Sequence, residues 1–469
     1  MTPRTFPGER LGREVRVAGW WVAEPERARG QDAPGERPQR VIPRRHFSAN
    51  MINFEGSIMV SAQDKAIIRE LATHIAEIAA LPVQDEKRIL WRQLNALQPV
   101  RPMVMIDQVC WNEMNLNDEL TLRCADPECR SYEDSLRRTL FQWRHFPVDM
   151  VVEPFVRVPK AIHNTGFGIH VHENVAVTDP TNAVVGHKYL NQFQTEEDLE
   201  RVQMPRISHD PAETARRLEV AGELFDGLLE IKPWGADPYL SLWDPISTWM
   251  GVQNALYALI DRPEYMHRLV DRITEGYLSL LDQLEEQRLL CGSQSLVHCT
   301  GAYTDELPAL GYNPERPRTK DLWMFGLAQM FSTVSPQMFE EFEVDYASRI
   351  CGRFGLVYYG CCDPLDGKMR EVRLIPKVRK VSMSPWVDQE HGAAEIGRDY
   401  VYSRKPSPAL LAVDPFDPEQ VRADLVATRQ ACERNNCPLE YILKDISTVH
   451  YEPERLFQWA RVAMEVAGA

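Results

Sequence analysis

Leu356-Val357-Tyr358-Tyr359-Gly360-Cys361-Cys362-Asp363-Pro364-Leu365 is the stretch on which the fold turns. Four apolar or aromatic residues run without a break, and a glycine, two thiols and an acid follow. So short and continuous a run fits a strand buried on both faces, as in a parallel sheet. The same shape recurs along the chain. Val100-Arg101-Pro102-Met103-Val104-Met105-Ile106 ends at Asp107, residues 239–243 at Asp244-Pro245, and residues 295–297 at His298-Cys299. Val378–Met383 ends at Ser384-Pro385-Trp386, and Leu439–Leu443 at Lys444-Asp445.

Amphipathic helices lie between these runs. Asp261, Pro263 and Glu264 open one that carries Met266, Leu269, Val270, Ile273, Tyr277, Leu280, Leu281 and Leu284 at helical spacing. Ser335-Pro336 opens a second with Phe339, Phe342 and Tyr346, and Asp417-Pro418-Glu419-Gln420 is an N-cap with proline at the first helical position. A last helix follows Glu452-Pro453 with Leu456, Trp459, Val462 and Val466. Near the other end, Ser61 with Asp64 reads as an N-cap for a helix whose Ile68, Leu71, Ile75 and Ile78 share one face. Alternating strands and helices over this length point to an α/β barrel or a doubly wound sheet. No Gly-x-Gly-x-x-Gly or Walker-type loop follows any strand, which favours the barrel. The expected fold is a (β/α)8 TIM barrel over residues 59–469, with an N-terminal helical lead-in. Residues 120–235 break the alternation and read as an insertion near the barrel mouth.

Residues 1–50 carry ten Arg against six acids, a balance of about +4 among scattered Pro and Gly. The whole chain stands at −15, so the remainder stands near −19. Residues 1–58 are expected to be a disordered extension, or upstream sequence preceding a start at Met51 or Met59. An acidic folded part repels phosphate backbones and anionic lipid, which disfavours nucleic-acid and membrane-surface roles. No apolar run approaches the roughly eighteen residues of a membrane span. Ten sparse cysteines make no disulfide framework and suggest a reducing, cytoplasmic setting.

In a barrel, chemistry sits where strands end. Cys361 is the leading metal candidate, because zinc prefers nitrogen and sulfur ligands, with Cys362 beside it. The alternative is that both are small buried hydrophobes. His298 is a candidate for substrate binding or acid–base work. Lys405, Asp388 and Asp445 are candidate catalytic groups, since a Lys–carboxylate pair shifts pKa values toward proton transfer. Asp107, Gln329, Trp243 and Trp386 are candidate substrate contacts, and Trp323 is a further possible pocket wall. His170-x-His172 places two imidazoles on one face if the run is a strand. Cys124-x4-Cys129 and Cys432-x4-Cys437 are weak signals in polar stretches expected to be exposed.

The order of these blocks resembles the uroporphyrinogen decarboxylase superfamily, which includes cobalamin-linked, zinc-dependent methyltransferases. The resemblance covers roughly residues 235–469 and, less clearly, 59–110. It rests on Ser335-Pro336 before Phe339-Glu340-Glu341-Phe342, the Tyr359-Gly360-Cys361-Cys362-Asp363-Pro364-Leu365 block, and Val381-Ser382-Met383-Ser384-Pro385-Trp386. Tyr402-Ser403-Arg404-Lys405-Pro406 and Ile442-Leu443-Lys444-Asp445 follow in family order. The resemblance implies a TIM barrel, zinc, and a corrinoid carried on a partner protein. Of the family's His-x-Cys pair and later cysteine, Cys361 matches the first cysteine. Tyr359 stands at the histidine, and Lys444-Asp445 stands near the second cysteine. Asp445, His298 or Cys362 are candidates to complete a different set. The arginines that a tetrapyrrole decarboxylase needs are missing around Met105-Ile106-Asp107-Gln108-Val109-Cys110-Trp111. The expected function is methyl transfer from a small methylated or methoxylated substrate to a corrinoid protein or a thiol. A carboxy-lyase and a non-catalytic corrinoid- or tetrapyrrole-binding protein are the alternatives.

Overall fold

The computed structural model describes residues 60–177, 180–182 and 185–468. The extension expected at 1–58, with its alternative starts, lies outside them. Seven strands form one parallel sheet: β1 (Met103–Ile106), β2 (Tyr239–Leu240), β3 (Trp323–Gly326), β4 (Leu356–Tyr359), β5 (Val378–Met383), β6 (Val401–Arg404) and β7 (Leu439–Leu443). Their order across the sheet is β1-β7-β6-β5-β4-β3-β2. Every pairing is parallel. Apart from β1 joining β7, neighbours in space are neighbours in sequence, the arrangement that strand–helix repeats produce.

Among the described residues no eighth strand joins β1 to β2, so the sheet is shown as seven strands and its closure into a barrel is not. Irregular segments flank the two edges instead. Asp149 donates its N–H to the Val104 carbonyl at 2.9 Å and returns a carboxylate oxygen to the Val104 N–H at 2.8 Å. Beyond β2, Ala236 bridges to Leu290.

Strand alternation divides the buried residues between two faces. Met103, Met105, Phe325, Leu356, Tyr358, Val401 and Ile442 pack on one face with Trp91 and Trp323. Val104, Ile106, Met324, Val357, Tyr359, Val381, Tyr441 and Leu443 pack on the other, among the residues of the flanking helices. Each fully buried side chain of this kind contributes about 1.5–3 kcal/mol.

Residues 295–297 are not a strand of this sheet. Leu296–Val297 pairs antiparallel with Thr300–Gly301, a short hairpin turning at His298-Cys299. Its Val297, Cys299 and Ala302 pack into the first face. The two strands missing from the apolar-run reading are β3 and β6. In β6, Ser403 and Arg404 interrupt the apolar pattern although all four residues are buried.

Helix α1 (Ala62–Ala79) starts where expected, with Ser61 Oγ accepting the Asp64 N–H. Helix α2 (Pro82–Asn95) places Trp91 under the first face. Residues 120–235 hold two helices that the reading did not foresee, α3 (Pro127–His145) and α4 (Pro211–Phe225). Both begin with Asp-Pro, and Asp126 and Asp210 cap them just as Asp417 caps the helix Pro418–Asn435. Helices α1, α3 and α4 share a separate core around Ile68, Leu71, Cys124, Cys129, Leu224 and Phe225. The ribbon Glu173–Ala176 with Gly186–Tyr189 reaches across to the segment after β7, where Asn182 donates to the Ser447 carbonyl at 3.0 Å.

Candidate functional site

Gly360 makes the turn out of β4. Its φ is +96°, and a Cβ there would meet Leu365 at 2.6 Å and Ser382 at 3.2 Å, so only glycine fits. The next residue turns its side chain onto the first face, and Ser382 Oγ fixes it by donating to the Cys361 carbonyl at 3.2 Å. Cys361 is buried and Cys362 is exposed, with their sulfurs 3.5 Å apart.

Lys444 follows β7 and shares its face with Glu440 and Ile442 by the two-residue alternation. Its Nζ donates to Cys361 Sγ and to His298 Nε2, each at 3.3 Å, and lies 3.3 Å from Asp445 Oδ2. His298 reaches this point from the hairpin turn, with φ at +53°, and its ring stacks on Phe325 at 4.0 Å between centroids. A non-glycine residue held at positive φ in a turn is strained, and such strain gathers at functional sites.

Charge follows from these contacts. Burial works against the Lys444 ammonium, but the sulfurs of Cys361 and Cys299, with Asp445, outweigh it and hold its pKa above the usual lysine value. Burial and then the Lys444 charge oppose protonation of His298 more strongly than its contact with Cys361 favours it, so the imidazole is shifted toward the neutral form. Nε2 then accepts from Lys444 and the ring proton sits on Nδ1. Contact with Cys362, followed by burial, raises the Cys361 thiol, and the same contact lowers Cys362. Cys362 is the exposed member of the pair and so the one open to a reagent.

Below this group the same face carries Lys405, fully enclosed, donating to Tyr358 OH and, at 2.9 Å, to Ser403 Oγ. Burial lowers its pKa, against a smaller pull from Cys299 and Glu440. Deeper still, Lys380 Nζ donates to Glu440 Oε2 at 2.8 Å, to Thr300 Oγ1 at 2.9 Å and to the Gly301 carbonyl at 3.2 Å. To one side, past Tyr239, burial raises Asp244 to about 6, with Gln329 and Ser241 hydrogen-bonding to it.

Cys361, Cys362, His298 and Asp445 thus gather around Lys444, and Lys405 lies on the same face. Gln329 acts on Asp244 rather than on the thiols. Asp107 extends the ladder, its N–H donating to the Leu443 carbonyl at 2.9 Å, and its charge acts on Cys299. The structure places the remaining candidates elsewhere. Asp388 caps the helix Gln389–Ile396 through a 2.9 Å bond from the His391 N–H, which gives its carboxylate a structural duty. Trp243 is 1% exposed and donates to the Phe342 carbonyl at 3.3 Å, so it is core. Trp386 is 75% exposed and walls no enclosed pocket. Trp323 is core as well, with Nε1 donating to the Ala302 carbonyl. His170 and His172 precede the ribbon and are both exposed. Cys124, Cys129 and Cys432 are buried, not exposed, and Cys437 is half-buried.

The reading missed Lys380, Glu440, Thr300, Tyr358, Ser403 and Asp244. A signal for the first two was available: a lysine and a glutamate inside strands read as buried on both faces need each other.

Zinc does not fit this donor set. The Lys444 ammonium already contacts both Cys361 Sγ and His298 Nε2, each at 3.3 Å, so a cation stands beside the two donors a zinc ion would need. Among the described residues no group of three or more His, Cys, Asp or Glu is arranged to hold a metal. No helix among them is long and apolar enough to cross a membrane.

No protein-family model matches the chain. No curated protein matches it either. Among solved structures, a methyltransferase from Methanosarcina mazei is similar at 10% identity with a TM-score of 0.44, over 81% of this chain and 97% of that one. At that level of likeness the chemistry has to be read from the site itself.

Proposed function

We propose that this chain is a methyltransferase-like enzyme whose thiol pair, Cys361 with Cys362, takes a methyl group from a small methylated or methoxylated substrate. The observation that carries the reading is the exposed sulfur of Cys362, 3.5 Å from a buried sulfur that a lysine ammonium and an imidazole hold in place. A thiolate is the strongest nucleophile that ordinary side chains supply, and a neighbouring cation is the usual means of activating it. In the transfer step the Cys362 thiolate attacks the methyl carbon. A sulfur–carbon bond forms, the carbon–heteroatom bond breaks, and the electron pair leaves on the heteroatom. That atom takes its proton from water, since Cys362 is exposed. A second nucleophile, a thiol or a corrinoid on a partner protein, then takes the methyl and returns the thiolate.

The test is intact-mass and peptide mapping after incubation with isotopically labelled methanol, methylamines or methoxylated aromatics. The expected result is one labelled methyl on the peptide holding Cys361 and Cys362, absent in Cys362→Ser. If that peptide stays unlabelled with every donor class, the reading is wrong.

One observation favours a second reading. Lys405 and Lys444, two buried ammonium-bearing side chains at strand ends, suit a carboxylate substrate, as a carboxy-lyase requires. That enzyme would keep its activity in Cys362→Ser and lose it in Lys405→Met.

A further inference from the structure

We infer that Lys444 is the resident cation of the thiol site, so that its thiolate chemistry needs no zinc and a metal enters only when the ammonium is removed. The inference rests on the thiol pair being the reactive group. Three observations carry it.

The first is position. Lys444 Nζ stands 3.3 Å from Cys361 Sγ and 3.3 Å from His298 Nε2. Zinc bonded to both would sit at about 2.3 Å from sulfur and about 2.1 Å from nitrogen, directly beside the ammonium that already contacts the same two atoms. Two unit charges about 4 Å apart repel by about 4 kcal/mol even at an effective dielectric of 20, and a dication doubles that. The metal and the ammonium are therefore mutually exclusive.

The second is confinement. Lys444 is 6% exposed, and the following residue, Asp445, turns the chain with φ at +57°. The side chain cannot swing out to solvent without abandoning its partners. Facing it are the sulfurs of Cys361, Cys362 and Cys299 and the carboxylate of Asp445. Lys405 is the opposing cation on this face, and it acts on the same imidazole and sulfurs.

The third is stoichiometry. One ammonium balances one thiolate, whereas a dication balances two. The sulfurs of Cys361 and Cys362 stand 3.5 Å apart, close enough for one proton to bridge the pair. Lys444 thus supports one nucleophilic sulfur at a time, with its neighbour kept as a hydrogen-bond donor.

The experiment uses the full chain and two probes, zinc ion and iodoacetamide, at one neutral pH. Zinc is measured by elemental analysis after equilibration with free zinc and desalting. Alkylation is followed by peptide mapping. The wild-type chain is expected to hold no more zinc than a Cys361→Ser, Cys362→Ser double variant, and to alkylate first at Cys362. Lys444→Met is expected to slow that alkylation at least about tenfold, and Lys444→Cys to gain about one zinc per chain. Zinc held by the wild type and lost in Cys361→Ser would overturn the inference. So would a Lys444→Met chain that alkylates as fast as the wild type. If Lys444→Cys does not fold, the wild-type zinc content and the Lys444→Met rate still decide. None of these readouts requires turnover. A chain that meets them and transfers no methyl keeps this role for Lys444 and loses the function proposed above.

Discussion

Lys380 and Lys444 are two buried lysines on one face of one sheet, and they are held by opposite kinds of partner. Lys380 lies inside β5 and meets a carboxylate, a hydroxyl and a carbonyl, with its side chain and that of Glu440 both at 0% exposure. Lys444 lies just past the end of β7 and meets a sulfur, an imidazole and one exposed carboxylate. The first pair is an enclosed 2.8 Å ion pair, in which burial lowers the Lys380 pKa and the carboxylate opposes that lowering. Sulfur and imidazole both have neutral forms, so the second lysine sits among groups whose charge changes as chemistry proceeds. A buried lysine matched to a fixed anion belongs to the scaffold, and one matched to titratable soft donors belongs to the site.

The largest test of this contrast is Lys380→Met. It leaves Glu440 as a buried carboxylate with Thr300 as its remaining hydrogen-bond donor, and should cost about 3–5 kcal/mol in denaturant unfolding. Lys444→Met, by contrast, leaves no charge stranded, because thiol and imidazole can both be neutral. Its stability should fall by about 1 kcal/mol or less. Equal losses in the two variants would erase the distinction.

Glu343 supplies an intermediate case, a buried carboxyl on the other face with no cation among the described residues acting on it. Burial raises it to about 8, opposed by a 2.9 Å bond from Tyr359 OH. The folded state holds this proton more tightly than the unfolded chain does. Its stabilising contribution is therefore complete below the ordinary glutamate pKa and is lost as pH rises through about 8. Glu343→Gln should flatten the decline of melting temperature between pH 5 and pH 9, by an amount worth about 4 kcal/mol. A variant with the wild-type slope would remove Glu343 as its source. Asp388→Ala should cost about 1 kcal/mol in unfolding, as loss of a helix cap does, and leave thiol alkylation unchanged.

Legibility followed burial. Leu439–Leu443 was readable to the residue as a strand, since four of its five side chains are apolar or aromatic and need cover on both faces, and Val378–Met383 was readable from Val378, Val381 and Met383 although half of it is polar. The Cys361-Cys362 turn was readable because Gly360 marks a sharp exit from an apolar run. Strand β6 escaped because Ser403 and Arg404 are buried polar residues whose partners Tyr358 and Asp424 come from distant sequence. Helices α3 and α4 carried the same Asp-Pro signal as the helix at Asp417, in a stretch set aside as an insertion. His298 was found as a strand-end residue, yet a hairpin outside the sheet delivers it. No local pattern announces such an excursion.

That hairpin has a consequence of its own. Its turn carries His298, and two residues later its return rung carries Thr300, which bonds to both Lys380 and Glu440. The scaffold pair and the imidazole are thus hung on one short lever. Damage to the pair will be transmitted to the ring, and a screen for lost activity will return changes at Lys380 and Glu440, far below the thiols, alongside changes at Cys362. Such variants would be separated from true active-site variants by their thiols, still present and still alkylated, with an imidazole out of register above them.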